Sequence, residues 1–155
     1  MRVAAFLTAA VLIAAPRNGV AGDIQMVAGR CETGSHIADG GINEDLRKRE
    51  SRFFCDVAVI SFYSDNPNHV QVQFTEHKSN HNPILGFAGI MDSDGVMMNV
   101  SHVYLEPGKA VIPIDGHCKF FFKHKHMDSI VCGARIEEGD RATVPVVVFQ
   151  ALPGQ

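Results

Sequence analysis

Apolar and polar residues alternate through the stretch from Cys118 to Ile136. The apolar set runs through Cys118, Phe120 and Phe122, is interrupted by a polar segment, and returns in Ile130, Cys132, Ala134 and Ile136. Side chains on a β-strand alternate between faces, so this pattern predicts a β-hairpin with one apolar face. Antiparallel pairing that sets Cys118 opposite Cys132 also sets Phe120 opposite Ile130. A disulfide and the core contacts therefore require the same register.

A second hairpin is predicted nearer the N-terminus. Residues 53–63 are apolar on both faces and rich in β-branched and aromatic side chains, which is typical of a central strand. Val70, Val72 and Phe74 then alternate with polar residues, and 64–68 between the two segments has the composition of a turn. We expect the two strands to pair.

Strand irregularities are also visible in the pattern. Within 96–105 the apolar positions change from even to odd near Ser101 and His102, and an inserted residue, a β-bulge, explains such a change. Proline has no N–H to donate to a ladder, so Pro113 and Pro145 favour edge strands or strand starts.

Helix signals are confined to one short segment. Asn43 precedes a run with acidic residues in its first turn and basic residues after it, which predicts a short surface helix over 43–50. Elsewhere, short turns separate the strands and no βαβ alternation occurs. We therefore expect an all-β fold, an antiparallel sandwich or small barrel of about eight strands, largely a meander, with a short N-terminal surface helix.

The first 21 residues predict a secretory signal peptide. An arginine near the start precedes an apolar run too short to cross a bilayer, and the small residues of 19–21 suit cleavage. The expected organisation is a signal peptide at 1–21, coil and a short helix at 22–52 tied down by a disulfide, and an antiparallel β domain at 53–155 that forms one globular unit with 22–52. The mature chain is expected to be periplasmic or secreted, with no transmembrane segment.

Composition narrows the classes of partner. The 155 residues are 46% hydrophobic, enough for one domain with a core. Without residues 1–21 the chain keeps 12 basic against 17 acidic residues, a formal charge of −5, which argues against nucleic-acid binding.

All four cysteines follow the predicted signal, and an even number in an oxidising compartment indicates disulfides. Four cysteines allow three pairings. The hairpin register favours Cys118 with Cys132, which leaves Cys31 with Cys55. A thiolate zinc site is the alternative, but the close C-x-x-C spacing of such sites is missing.

A basic spot marks the tip of the cysteine hairpin. Lys119, Lys123 and Lys125 lie close together on an otherwise acidic chain, and Phe121 is expected on the same strand face. Such a patch suits an acidic protein surface or an anionic ligand, such as a phosphate or a polysaccharide. Protonation of the neighbouring histidines toward about pH 6 would strengthen it.

The histidines of the same hairpin suggest an alternative, a metal site. Its candidate ligands for zinc or copper are His117, His124, His126 and Asp128, with two of the histidines spaced to project to one side of a continuing strand. The flanking lysines oppose a divalent cation, and a solvated polar tip explains the same residues.

A hydrolase with an unrecognised site is a further alternative. No G-x-S-x-G motif is present, and Ser101 and His102, being adjacent on a strand, are expected on opposite faces, where they cannot pair. The leading interpretation is a small disulfide-stabilised binding or structural module without catalytic activity and without a cofactor, whose partner is an unknown protein or anionic ligand.

Overall fold

The computed structural model describes residues 22–76 and 84–154, so the predicted signal peptide lies outside the described residues. The strands are β1 (Ile24–Cys31), β2 (His36–Gly41), β3 (Glu50–Arg52), β4 (Val57–Phe62), β5 (His69–Thr75), β6 (Ile84–Met91), β7 (Met97–Glu106), β8 (Lys109–Val111), β9 (Asp115–Lys123), β10 (His126–Glu138) and β11 (Arg141–Ala151). A single 3-10 turn spans Leu46–Lys48. No helix in the described ranges is long and apolar enough to cross a membrane.

Eight of these strands close into an antiparallel barrel. Their order is β1-β4-β5-β6-β7-β9-β10-β11, and β11 pairs back to β1. β2 and β3 extend the sheet from β11, and β8 adds to β7. The prediction of an all-β antiparallel fold is confirmed. Of the two architectures expected, the chain adopts the barrel, and most barrel neighbours are also neighbours in the chain.

The inward faces of the strands fill the barrel with apolar side chains. Val70, Val72 and Phe74 of β5 are fully buried, as their alternation predicts. The Phe74 ring meets the ring of Phe87 edge-on at 6.3 Å between centroids and the ring of Phe149 at 5.7 Å. Burial of one such side chain contributes roughly 1.5–3 kcal/mol. The interior of the barrel is a packed core, except at the end where the β9–β10 turn lies.

The two disulfides have the pairing that the hairpin register favoured. Cys118 pairs with Cys132 inside the barrel, and both are fully buried. In the same ladder Phe120 lies opposite Ile130. Cys31–Cys55 joins the end of β1 to the segment before β4. By the chain-entropy model each closed loop contributes about 3 kcal/mol.

The predicted bulge in β7 is present. Ala88 pairs with His102 and Gly89 with Val100, so Ser101 is the inserted residue. The backbones approach closely here, because a Cβ built on Gly89 would lie 1.9 Å from the carbonyl oxygen of Asn99. Glycine at this position is required by that contact.

The edge position expected for Pro145 is wrong. Pro145 lies in the middle of β11 and pairs with Ile37 of β2. On the other side, the ladder to β10 pairs Gly133 with Val146 and resumes only at Ile136 with Thr143. The missing N–H is accommodated by this local gap in an otherwise continuous ladder. Pro113, in contrast, follows the edge strand β8.

The segment 22–52 also differs from the expected coil and helix. It forms β1, β2 and β3, and the helix expected over 43–50 is reduced to the 3-10 turn, with Asp45 rather than Asn43 as its N-cap. A short segment whose central apolar residue is Leu46 has little apolar surface to pack, and an isolated helix of this length is unstable.

Ser35, which is fully buried, lies at the point where the barrel closes. Along one edge, β11 pairs with β2 through Val146 and with β1 from Phe149 onward. At the change of partner, the Ser35 hydroxyl donates to the Val148 carbonyl at 3.1 Å and accepts from the Val148 N–H at 2.9 Å. The Val148 carbonyl also accepts from the Glu32 N–H at 2.7 Å, so the contact that Ser35 alone supplies here is the acceptor for the Val148 N–H.

We expect Ser35→Ala to lower the free energy of unfolding by about 1–3 kcal/mol, because it leaves the Val148 N–H without its acceptor, while the Val148 carbonyl keeps the Glu32 N–H. Urea denaturation at neutral pH measures the change. Ser101→Ala is the matched control, since Ser101 is an exposed residue whose hydroxyl also bonds a backbone carbonyl, and it should shift stability by less than about 0.5 kcal/mol. Equal losses in the two variants would contradict the role of Ser35.

Glu44 supplies a pH-dependent contribution beside the 3-10 turn. A hydrogen bond from the Gly41 N–H at 3.2 Å, and then the nearby Arg49 guanidinium, hold the pKa of the Glu44 carboxyl below its ordinary value. A lowered pKa stabilises the fold above the unfolded-state pKa and loses that effect as the pH falls through the folded-state pKa. We expect Glu44→Gln to be less stable than the native chain at neutral pH. The difference should shrink below the ordinary glutamate pKa of about 4.3 and vanish once the pH is below the folded-state pKa. Urea denaturation across this range measures it, and a difference that persists at low pH would contradict it.

Candidate binding site at the open end of the barrel

The cysteine hairpin ends in a two-residue turn, His124 and Lys125, between β9 and β10. Lys123 pairs with His126 across it. Both turn residues have positive φ, 51° and 68°, which is the type I′ geometry that suits twisted hairpins. Glycine and asparagine usually occupy such positions, and other residues there lose roughly 1–2 kcal/mol each. The turn thus carries two basic side chains at a conformational cost.

The structure places the predicted binding residues Lys119, Phe121, Lys123 and Lys125, here called the basic tip, along β9 and its turn. Lys119, Phe121 and Lys123 occupy alternate positions of β9 and are exposed on the outer face of the barrel. The Lys119 ammonium lies 5.1 Å from the centroid of the Phe121 ring, a cation–π contact. The ring is 38% exposed and remains open to a partner.

A depression of about 320 Å³ lies between the turn and the C-terminal segment 150–154. Lys123, His124 and His126 line one side of it, together with Asp128. Asp128 is the inserted residue of a bulge in β10, and its carbonyl accepts a hydrogen bond from the Gln150 amide at 2.8 Å. The depression gives the basic tip a concave side.

The predicted metal ligands do not form a metal-binding group, although His124, His126 and Asp128 line the same depression. In 22–76 and 84–154 no three His, Cys, Asp or Glu side chains form a group that could hold a metal ion. His117 stands six positions before Lys123 on β9, about 20 Å along the strand from the turn. It lies instead near Asp115, with its Nδ1 3.6 Å from a carboxylate oxygen. The spacing argument for His124 and His126 fails because His124 belongs to the turn and not to a continuing strand.

The expectation that Ser101 and His102 cannot pair is also wrong. The Ser101 hydroxyl lies 3.0 Å from Nδ1 of His102, because the bulge removes the strict alternation of faces. The same hydroxyl contacts the Ala88 carbonyl at 3.3 Å. In the described part of the chain, no carboxylate forms a hydrogen bond with His102 to complete a catalytic triad.

A second concavity, about 270 Å³, opens inside the barrel at the same end and is here called the mouth cavity. The floor of the cavity is formed by buried apolar side chains, those of Ile60, Val70 and Phe120. The walls are also apolar and are formed by Phe62, Met91, Phe122 and Met127. The rim is polar and includes Gln25, Asn68, Asp92 and Ser93. Phe122 faces inward as its even position predicts, but it is 52% exposed because it lies beyond the packed core. The sequence offered no signal for this cavity, since its residues come from six strands and two turns.

Comparison of the chain with protein-family models, with curated proteins and with solved structures found no match. The function is therefore inferred from the side chains at the open end of the barrel.

Lys125→Gly should raise the free energy of unfolding by about 0.5–1 kcal/mol, because glycine adopts φ near 68° without the steric cost that lysine has there. Chemical denaturation measures the gain. Lys119→Gly is the control, because its strand conformation gives glycine no advantage, and it should destabilise the protein. A loss of stability in Lys125→Gly would mean that the Lys125 side chain makes a stabilising contribution larger than its conformational cost.

Proposed function

We propose that this protein is a small, disulfide-stabilised binding module without catalytic activity, which works in the periplasm or outside the cell. It binds an acidic partner surface or an anionic ligand through the basic tip. The observation that carries the proposal is the exposure of three lysines and one phenylalanine along β9 and a turn that keeps basic residues in an unfavourable backbone conformation.

Local charge contrast supports an anionic partner. The full chain has a formal charge of −3, yet Lys119, Lys123 and Lys125 are gathered within seven consecutive positions. Charges on an exposed hairpin attract an oppositely charged surface and orient it on approach, and an exposed ring adds apolar contact. The depression beside Lys123 offers room for an acidic side chain or a phosphate.

The covalent structure supports a location outside the cytoplasm. Two disulfides, one of them fully buried in the barrel, are typical of proteins from oxidising compartments. The Cys118–Cys132 disulfide also holds β9 and β10 in one register beneath the tip, because the two cysteines are directly opposite one another. A rigid support of this kind lowers the conformational entropy that the tip loses on binding.

We expect the double variant Lys123→Glu with Lys125→Glu to lose retention on immobilised heparin, which serves as a polyanion probe. The native chain should be retained at low ionic strength, because screening of the exposed lysines is weak there. The salt concentration at elution measures the difference between the variant and the native chain.

Lys48→Glu with Lys109→Glu is the matched control. It makes the same change in net charge, but both residues are exposed at the opposite end of the barrel. This control should elute close to the native chain. If both double variants lose retention equally, net charge and not the basic tip governs binding. If the native chain is not retained at all, the tip does not bind this class of anion.

A further inference from the structure

We propose that the mouth cavity is a separate binding site for a small apolar molecule that carries a positively charged amino group. This site is independent of the basic tip, because it is formed by other residues and prefers a ligand of the opposite charge. It consists of a pit walled by phenylalanine and methionine side chains, with a single carboxylate at the rim.

The apolar walls are incompletely covered. Phe122 is 52% exposed, and Phe62 and Met91 are half-buried at the same opening. Apolar side chains left open in a concavity with a polar rim are typical of ligand sites, and the mouth of a β-barrel is a common place for them. Below them, Phe120 and Ile60 close the floor, so a ligand enters the mouth and not the core.

The charge of the cavity selects the head group. Asp92 is the one charged residue that lines it, and the other rim side chains, Gln25, Asn68 and Ser93, are neutral. Oδ1 of Asp92 accepts a hydrogen bond from the Asn99 amide at 3.2 Å, which orients the carboxylate. Among the described residues no cation pairs with Asp92. A ligand ammonium would supply that partner.

The walls favour the same ligand charge. Phenylalanine rings attract cations at their faces, and the rings of Phe62 and Phe122 lie in the wall beside the rim. Met91 and Met127 add adaptable, polarisable surface that fits alkyl groups of different shape.

The volume limits the size of the ligand. About 270 Å³ is just under the range of roughly 300–1,000 Å³ of ordinary small-molecule pockets. One short alkyl chain or one ring with its amino group fits this space.

An anionic head group is the main competing ligand. Met127 lines both the mouth cavity and the depression beside Lys123, so a molecule with its tail in the mouth has the basic tip on one side and Asp92 on the other. Probes that share one tail and differ only in the charge of the head group separate the two.

The experiment titrates the disulfide-intact mature chain with octylammonium, octanol and octanoate at neutral pH and follows binding by calorimetry and NMR. We expect octylammonium to bind about tenfold more tightly than octanol, as one charged hydrogen bond allows, and octanoate most weakly. Signals of Phe62, Met91 and Phe122 should shift on binding. Asp92→Asn should remove the preference for octylammonium and leave the affinity for octanol unchanged.

Asp94→Asn is the matched control, because Asp94 lies in the same turn, bonds the Val96 N–H at 3.0 Å and does not line the cavity. It should keep the preference. Phe122→Ala, which removes an exposed ring, should lower the affinity for all three probes. The proposal is overturned if no probe saturates the mouth signals, if octanoate binds best, or if Asp94→Asn acts like Asp92→Asn.

Discussion

Backbone hydrogen bonding along both edges of β11 is the constraint on which the rest of the barrel depends. Every strand of a closed sheet needs a partner on each side, and β11 meets this need on one edge in two halves, with β2 and then with β1. The change of partner leaves the backbone of Val148 between the two. The buried Ser35 hydroxyl accepts from the Val148 N–H, and the Val148 carbonyl is shared by the Ser35 hydroxyl and the Glu32 N–H. Without Ser35, closure would leave the Val148 N–H unpaired.

Closure also makes the two ends of the barrel different. At the end away from the mouth, the Arg52 guanidinium bonds carbonyls of the loop after β1, including those of Cys31 and Ser35, and the Cys31–Cys55 disulfide ties the same region. The mouth end is formed by turns, including His124–Lys125, and keeps open apolar side chains such as Phe122. Binding residues are commonly carried by turns that a rigid sheet positions, and this end has that arrangement.

The mouth end combines two neighbouring surfaces of opposite charge. The basic tip presents lysines and the Phe121 ring outward from β9, while the mouth cavity presents Asp92 and inward-facing rings. Alternation along one strand produces both, because Phe121 and Phe122 are consecutive residues on opposite faces. The residues of the basic tip were predictable, since they are close in sequence and follow one strand. The mouth cavity was not, because no local pattern relates Asp92 to Phe122.

The sequence by itself determined the features that depend on one segment or on two adjacent ones. These are the strand alternation, the register that pairs Cys118 with Cys132, and the bulge at Ser101, all consequences of the period-two geometry of strands. Only the tertiary structure decided the barrel over the sandwich, the interior position of Pro145 and the part played by Ser35. Each of these features depends on which strands, distant in sequence, pair with one another. That pairing is selected by the need of a closed barrel to satisfy its backbone hydrogen bonds, and no local sequence pattern specifies it.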